Sequence, residues 1–437
     1  LPDPSIGRWA HWRALIGSGN FSLVGQIHTL STPASMNLLQ ELVTEPTRRW
    51  DAVICSSHAG KAVVEAVIED RENQILNRFG PKSINFKSST RPYLPVIPLP
   101  IPTDHIREKL IPKVLARKQL GINQNGHVIL WLGRLSMLTK SDPWPTYTIL
   151  EQSAKLLNQP LTLIECGPDD TSHQANHFKE LRNLCPNVQF VRFGGKEPVS
   201  ETIKSACLAS ADIAISLVDN TQETFGLAVA EAMAAGLPVV ASDWNGYRDL
   251  IRHGVDGFLI PTKWSSVSED LSIRLGWASS LGVIKFPMAA GCLAQLVQFD
   301  YQAAIAAIVS LLSQPVMNRA MGDAAQKKAS NTFSDEIVMR KYLELFQFLK
   351  ERRLNAPKSC FFPEKSSITI NPVTAFQSYP SEENSTCFGD LNHKNKDVPK
   401  KVIEARDPLW NQLRKFVSPS YADKLEEELL LKHQTFN

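Results

Sequence analysis

The sequence lacks any apolar run long enough to cross a bilayer, because its apolar stretches stay below the ~18 residues that a spanning helix needs. It also lacks an excess of one charge, since 47 basic and 44 acidic residues leave a formal net charge of +3. A dedicated nucleic-acid-binding protein normally shows a basic domain or stripe, so we expect no nucleic-acid partner. The seven cysteines are scattered without a C-x-x-C pair, which is typical of buried thiols in a reducing compartment. A cytoplasmic protein is therefore expected, with peripheral contact at the inner membrane face left open.

What the sequence does contain is a regular alternation of apolar runs and helical stretches. With 43% apolar residues in 437, the chain can form two compact domains. Continuous apolar runs that alternate with helices predict a parallel sheet covered on both faces, with a ligand at the carboxyl ends of its strands. The six predicted strands are His127–Leu132, Leu161–Cys166, Val188–Phe193, Asp212–Val218, Leu237–Ser242 and Phe258–Ile260.

The segment before residue 113 shows fewer strand candidates. They are Phe21–Leu30, Asp51–Ser56 and Val96–Ile101, with helices predicted around Met36–Val43 and Ala59–Glu69. Prolines crowd residues 92–112, which predicts a stiff connection between two domains. Residues 265–296 have no clear period. The composition after residue 355 is typical of a linker that is partly disordered, and a last helical patch is predicted at Ala422–Lys432.

The segment after the fourth predicted strand carries two glutamates eight positions apart, Glu223 and Glu231. If both lie on one helix, they are ~80° apart around its axis and ~12 Å apart along it. The start of that helix would offer the amides of Phe225, Gly226 and Leu227 to a phosphate. A side chain at position 226 would push such a ligand away. The alternative is that both glutamates are ordinary solvated helix residues.

The wider context of this pair resembles a known family. Residues 223–242 read E-T-F-G-L-A-V-A-E-A-M-A-A-G-L-P-V-V-A-S, and G-V-D-G-F-L-I-P-T follows at 254–262. This pattern resembles the Glu-x7-Glu region of retaining glycosyltransferases of the family-4 type (glycosyl transferases group 1). The segment Asp243–Asp249 departs from the commoner double glycine and Glu of that family, so Asp249 would stand in the place of the Glu.

The resemblance implies roles for particular residues. Arg134 and Lys140, in the loop after the first strand of the sheet, would grip the diphosphate of a nucleotide-sugar donor, although Lys140 stands one position later than the commonest spacing. Two fixed cations can stabilise the charge of the leaving diphosphate without a metal. Glu231 would hold the ribose and Glu223 the donor sugar, while His28 would face that sugar or else only end its strand.

The same resemblance implies the fold class and the domain organisation. The class is α/β and GT-B-like, with two Rossmann-like doubly wound domains of which the N-terminal one is truncated. Residues 1–112 would form a partial acceptor-side domain, 113–330 the nucleotide-sugar-binding domain, 331–354 a helix that packs back toward the N-terminal domain, and 355–437 a linker and tail. Because the N-terminal part shows few strands, we expect the chain as given to be an incomplete enzyme that binds donor but transfers weakly.

No cofactor and no metal are expected. Asp-x-Asp, which holds a divalent cation in the other main glycosyltransferase fold, does not occur. His173 and His177 have a spacing that can bind zinc on a helix, but two histidines without a third ligand are more often polar surface.

The predicted function is a retaining, metal-independent hexosyltransferase. It would move a sugar from a UDP- or GDP-type donor to the hydroxyl of a saccharide, a lipid or a small molecule. The alternative is a non-catalytic sugar-nucleotide-binding or scaffold protein with the same fold.

Overall fold

The first strands of the chain pair in parallel. The computed structural model describes residues 1–80, 91–266, 269–364, 371–379, 400–418, 421–423 and 425, and residues Leu1–Ile368 form one compact unit. Its first elements are α1 (Ile6–Ala14), β1 (Val24–Gln26), α2 (Pro33–Glu41), β2 (Ala52–Ile54) and α3 (His58–Phe79). β1 pairs with β2 in parallel.

The third strand predicted in this part, Val96–Ile101, does not form a full ladder. The segment makes isolated bridges instead, at Val96 with Cys55 of the neighbouring sheet and at Ile101 with Ser334. Proline has no backbone N–H, and the prolines at 95, 98 and 100 remove the donors that a strand in this position would need.

A buried ion pair fixes α1 to the turn before β2. Both carboxylate oxygens of Asp51 accept from the guanidinium of Arg13, at 2.5 and 2.8 Å, and both side chains are fully buried. Asp51 also accepts from the amides of Leu23 (2.9 Å) and Arg48 (2.8 Å). These four hydrogen bonds pair both oxygens of the buried carboxylate and tie α1 to the chain on either side of it.

The centre of the molecule is a six-stranded parallel sheet, and all six predicted strands are confirmed. They are β3 (His127–Leu132), β4 (Leu161–Cys166), β5 (Val188–Phe193), β6 (Ile213–Ser216), β7 (Val239–Ser242) and β8 (Gly257–Ile260). The order is β5-β4-β3-β6-β7-β8, which is the doubly wound order of Rossmann-like domains. Because β3 and β6 are neighbours whose connections leave in opposite directions, a crevice is expected at their carboxyl ends.

Helices cover both faces of this sheet. The α-helices that follow α3 in this unit are α4 (Thr103–Glu108), α5 (Lys113–Gln119), α6 (Pro143–Leu157), α7 (Ser172–Arg182), α8 (Glu201–Ser210), α9 (Leu227–Ala234), α10 (Tyr247–Leu250), α11 (Glu269–Ser280), α12 (Phe286–Ala294), α13 (Tyr301–Ser313), α14 (Pro315–Phe333) and α15 (Asp335–Leu354). The region without a clear period therefore contains α11 and α12, between strands β9 (Thr262–Trp264) and β10 (Val297–Phe299), which pair antiparallel.

The long helix α15 packs against the first sheet of the chain. The apolar side chains that it shares with that sheet are buried together: Ala52, Ile54, Ile97, Val338, Leu345 and Leu349. The Tyr342 hydroxyl also donates to Oε1 of Gln26 at 3.1 Å. The last helix of this unit therefore completes the core of the first sheet.

The remaining described elements lie in the chain's end. A 3-10 turn spans Lys358–Phe361, and a second compact unit, Thr369–Asn437, contains α16 (Pro372–Ala375) and α17 (Lys400–Arg414). Helix α17 was not predicted, and the helical patch predicted for Ala422–Lys432 lies mostly outside the described residues. No helix in the described part of the chain is long and apolar enough to cross a membrane.

Candidate functional site

A cavity of about 510 Å³, here called the first cavity, opens at the carboxyl end of the parallel sheet. Its walls are the ends of β3 and β4, the segment between β6 and α9, and part of the N-terminal segment. The crevice expected where β3 and β6 meet is therefore present, and it faces residues that precede the sheet in sequence.

Most of the predicted site residues meet in this cavity. Its lining includes His28, Lys140, Glu223, Phe225, Gly226, Leu227 and Glu231. Arg134 is not among the lining residues. Its guanidinium lies 3.8 Å from the carboxylate of Asp170, and 41% of its side chain is exposed.

The helix predicted to begin at Glu223 begins at Leu227 instead. Gly226 stands before it with φ +110°, a left-handed conformation that turns the chain sharply. The prediction that Glu223 and Glu231 lie on one helix is therefore wrong, and its angle and distance do not apply. A Cβ at Gly226 would clash with the ring of the buried Tyr247, so packing alone requires a glycine at this position.

Glu223 and Lys140 form an ion pair inside the cavity. Nζ of Lys140 donates to Oε2 of Glu223, whose side chain is only 11% exposed. Burial raises the pKa of this carboxyl, but the Lys140 ammonium and hydrogen bonds outweigh burial and hold the pKa below its usual value. The amide of Phe225 also donates to Oε1 of Glu223, at 3.4 Å, so it is turned toward this carboxylate.

A second lysine in the cavity was missed by the sequence analysis. Lys204 lies in the first half of α8, and its Nζ donates to Oε1 of Glu231 at 2.6 Å. The signal was available, since a cation near the start of a helix that follows a parallel strand lies at the carboxyl edge of the sheet. The first cavity thus contains two lysines, Lys140 and Lys204, each paired with a glutamate.

Hydrogen bonds join the N-terminal segment to the segment that follows β6. The Ser57 hydroxyl donates to the carbonyl of Thr224 at 2.8 Å, and the Thr224 hydroxyl donates to the carbonyl of His28 at 3.3 Å. The amide of His58 donates to Oδ2 of Asp249 at 2.7 Å. These contacts hold the exposed His28 at the cavity wall and give Asp249 a structural partner.

No group of three or more His, Cys, Asp or Glu side chains that could hold a metal ion occurs among the described residues. His173 and His177 lie on α7. Of the two acids near them, Asp169 pairs with Arg192, and Asp170 accepts from the hydroxyl of Ser136 at 2.7 Å.

Known proteins resemble this chain in sequence and in fold. The family model "Glycosyl transferases group 1" matches residues 114–273. A D-inositol 3-phosphate glycosyltransferase of Salinispora tropica is 30% identical over 173 residues, which are 39% of this chain but only 33% of that relative. The chain thus matches about a third of the length of this relative.

Among solved structures, the N-terminal domain of trehalose-6-phosphate phosphatase of Candida albicans is similar with a TM-score of 0.52 and 11% identity, covering 79% of this chain and 68% of that one. Anabaena HepE, solved with UDP and glucose, has a TM-score of 0.44 and 19% identity, covering 75% of this chain and 71% of that one. The α/β, GT-B-like fold class predicted from the sequence is confirmed. Residues 114–273 are thus similar to the glycosyl transferases group 1 family.

Proposed function

We propose that this protein is a retaining glycosyltransferase that takes a sugar from a nucleoside diphosphate donor without a metal ion. The observation that carries the proposal is the first cavity, where Lys140, Lys204, Glu223 and Glu231 meet at the carboxyl edge of a doubly wound sheet. Two cations in a partly buried cavity can offset the charge of a diphosphate, and a partly desolvated site strengthens that attraction.

The roles follow from the positions of these groups. Glu231 accepts from Lys204 through one oxygen, which leaves its other oxygen for the ribose hydroxyls of the donor. Glu223 is held ionised by Lys140, so that its carboxylate can stabilise the positive charge that develops at the anomeric carbon. His28 would face the donor sugar from the opposite wall.

Retention is supported by the shortage of carboxylates at the sugar end of the cavity. Of the cavity's two glutamates, Glu231 is assigned to the ribose, so we infer attack on the face that the diphosphate leaves. In that step the bond from the anomeric carbon to the phosphate oxygen breaks while the acceptor oxygen bonds to the same face. The proton of the acceptor hydroxyl passes to the departing phosphate, which serves as the base.

The experiment is a thermal-shift titration with UDP and with GDP, in buffer with and without EDTA. A bound nucleotide raises the melting temperature by mass action. We expect a shift that EDTA leaves unchanged, and we expect Lys140→Gln to reduce it while Lys118→Gln, on an exposed face of α5, does not. A shift that EDTA abolishes would contradict metal independence.

Variants of the two glutamates should distinguish nucleotide binding from catalysis. Glu231→Gln should weaken binding of free nucleotide, because a hydrogen bond to a charged group contributes ~1.5–3 kcal/mol. Glu223→Gln should leave that binding within a few-fold and reduce the turnover of UDP-glucose. Equal losses of nucleotide binding in both variants would refute this division, and an intact protein that binds UDP-glucose but never turns it over would indicate a binding protein instead.

A further inference from the structure

A second cavity, of about 500 Å³, lies beside the first sheet of the chain and shares no wall residue with the first cavity. Among the described residues that line it are four cations, Arg49, Lys61, Arg91 and Arg352, and a single acid, Glu65. The cations come from separate parts of the chain: the turn before β2, helix α3, the segment after α3 and helix α15. Basic and acidic residues are nearly balanced in the whole chain, so this convergence of one sign indicates a site for an anion. We call it the basic cavity.

Acidic side chains offset only part of the charge in the basic cavity. Arg91 is paired, since its Nε donates to Oε1 of Glu72 at 2.7 Å. Nζ of Lys61 lies 3.7 Å from Oε1 of Glu65, which is longer than a hydrogen bond. Arg49 has no ion pair or hydrogen bond with any residue in the described part of the chain. Two carboxylates therefore face four cations.

The guanidinium of Arg352 is held by aromatic rings instead of by a carboxylate. Its central carbon lies 5.9 Å from the ring centroid of Tyr93 and 5.1 Å from that of Phe348. Tyr93 is itself fixed by the first sheet, because its amide donates to the carbonyl of Asp51 at 2.7 Å and its carbonyl accepts from the amide of Val53 at 2.9 Å. A stacked guanidinium keeps its N–H groups available and loses little conformational freedom when it binds a ligand.

We propose that the basic cavity binds a phosphate monoester, with the phosphate between Arg49, Lys61 and Arg352. A phosphate monoester carries a charge close to −2 at pH 7, so it matches the two positive charges that lack a carboxylate. Its three terminal oxygens can accept from more than one guanidinium, and the planar fork of an arginine fits two of them at once. A bound phosphate would also join α15 to the first sheet. The inference does not depend on the proposed function, because no residue of the first cavity takes part.

The test uses glucose 6-phosphate as a soluble phosphate monoester, with glucose as its neutral comparison. Saturation-transfer NMR on the full chain at constant ionic strength measures the binding of both. Phosphatidylcholine vesicles with and without phosphatidic acid, in a sedimentation assay, present the same phosphate monoester on a lipid. The two arms distinguish a soluble source of the phosphate from a lipid headgroup.

The variants are Arg49→Gln, Arg352→Gln and the two combined. Arg340→Gln is the matched control, because Arg340 lies on the same helix as Arg352, has a side chain that is 59% exposed and does not line the basic cavity. Lys140→Gln controls for phosphate that binds in the first cavity. Melting curves should show that every variant is folded.

We expect glucose 6-phosphate or the vesicles with phosphatidic acid to bind. The Kd of the probe that binds should rise at least threefold in each single arginine variant and at least tenfold in the combined one. It should stay unchanged in Arg340→Gln and in Lys140→Gln. Binding of neither phosphate probe, equally tight binding of glucose, or an equal loss in Arg340→Gln would overturn the proposal. A loss confined to Lys140→Gln would also overturn it, because the phosphate would then lie in the first cavity.

Discussion

Replacing Gly226 by alanine should destabilise the protein more than the addition of a single methyl group suggests. The residue has φ +110°, and an added Cβ would lie 2.3 Å from Cε1 and 2.7 Å from Cδ1 of Tyr247. That ring cannot move away easily, since it is 1% exposed and its hydroxyl is hydrogen-bonded to the hydroxyl of Ser216 at 2.8 Å. Left-handed backbone costs an L-residue about 1–2 kcal/mol, and overpacking a core costs about 1–3 kcal/mol. The expected loss is therefore about 2–5 kcal/mol.

The steric part can be separated from the backbone part by a second glycine. Gly254 has φ +75°, but a Cβ there would meet nothing within 4 Å, so Gly254→Ala should cost only the backbone strain. Urea unfolding of both variants measures the difference, which should be about 1–3 kcal/mol. In a Tyr247→Ala background the added cost of Gly226→Ala should shrink, since the clash partner is gone. If Gly226→Ala costs no more than Gly254→Ala, Tyr247 is not the reason for the glycine.

Three further predictions concern charged groups. Arg13→Met should cost about 3–5 kcal/mol in urea unfolding, because it leaves the buried carboxylate of Asp51 without its cation, whereas Arg13→Met with Asp51→Leu should recover part of that loss. Burial raises the pKa of Asp219 to about 8. Between pH ~4 and 8 the carboxyl is therefore protonated in the folded state and ionised in the unfolded state, so the free energy of unfolding should fall as pH rises through that window. Asp219→Asn should flatten this dependence and be the more stable protein at pH 8.5; an unchanged pH profile would contradict the raised pKa. Lys140→Met should weaken UDP binding about tenfold by calorimetry at low salt, and unchanged affinity would remove the lysine from the donor site.

The sequence predicted the parallel sheet well because its strands are buried on both faces. A strand such as β4 is apolar at almost every position, so its bounds Leu161–Cys166 can be read from the residues alone. The N-terminal segment was harder, since β1 and β2 have three residues each and their core is completed by α15, which comes far later in the chain. Short elements covered by distant ones leave little periodic signal.

The sequence predicted which residues form the site better than it predicted how they are arranged. The motif around Glu223 contains most of the cavity residues. However, the left-handed turn at Gly226, which delays the start of the motif's helix to Leu227, packs against Tyr247, twenty-one positions later. Arg134 lies in the expected loop, but its side chain points toward Asp170. The direction of a loop side chain depends on residues that are close in space, and the sequence motif does not specify those residues. Lys204 belongs to no motif, and only its position near the start of the helix after β5 indicates that it lies at the carboxyl edge of the sheet.

The packing of α15 on the first sheet has a consequence for synthesis on the ribosome. The side chains of Tyr342 and Gln26, which meet in the folded chain, are 316 positions apart in sequence. At ~5–20 residues per second, the nascent β1–β2 sheet would wait about 15–60 s before its covering helix emerges. During that interval Ala52 and Ile54 have no cover from α15, so the nascent chain offers an apolar surface to chaperones until α15 has been synthesised.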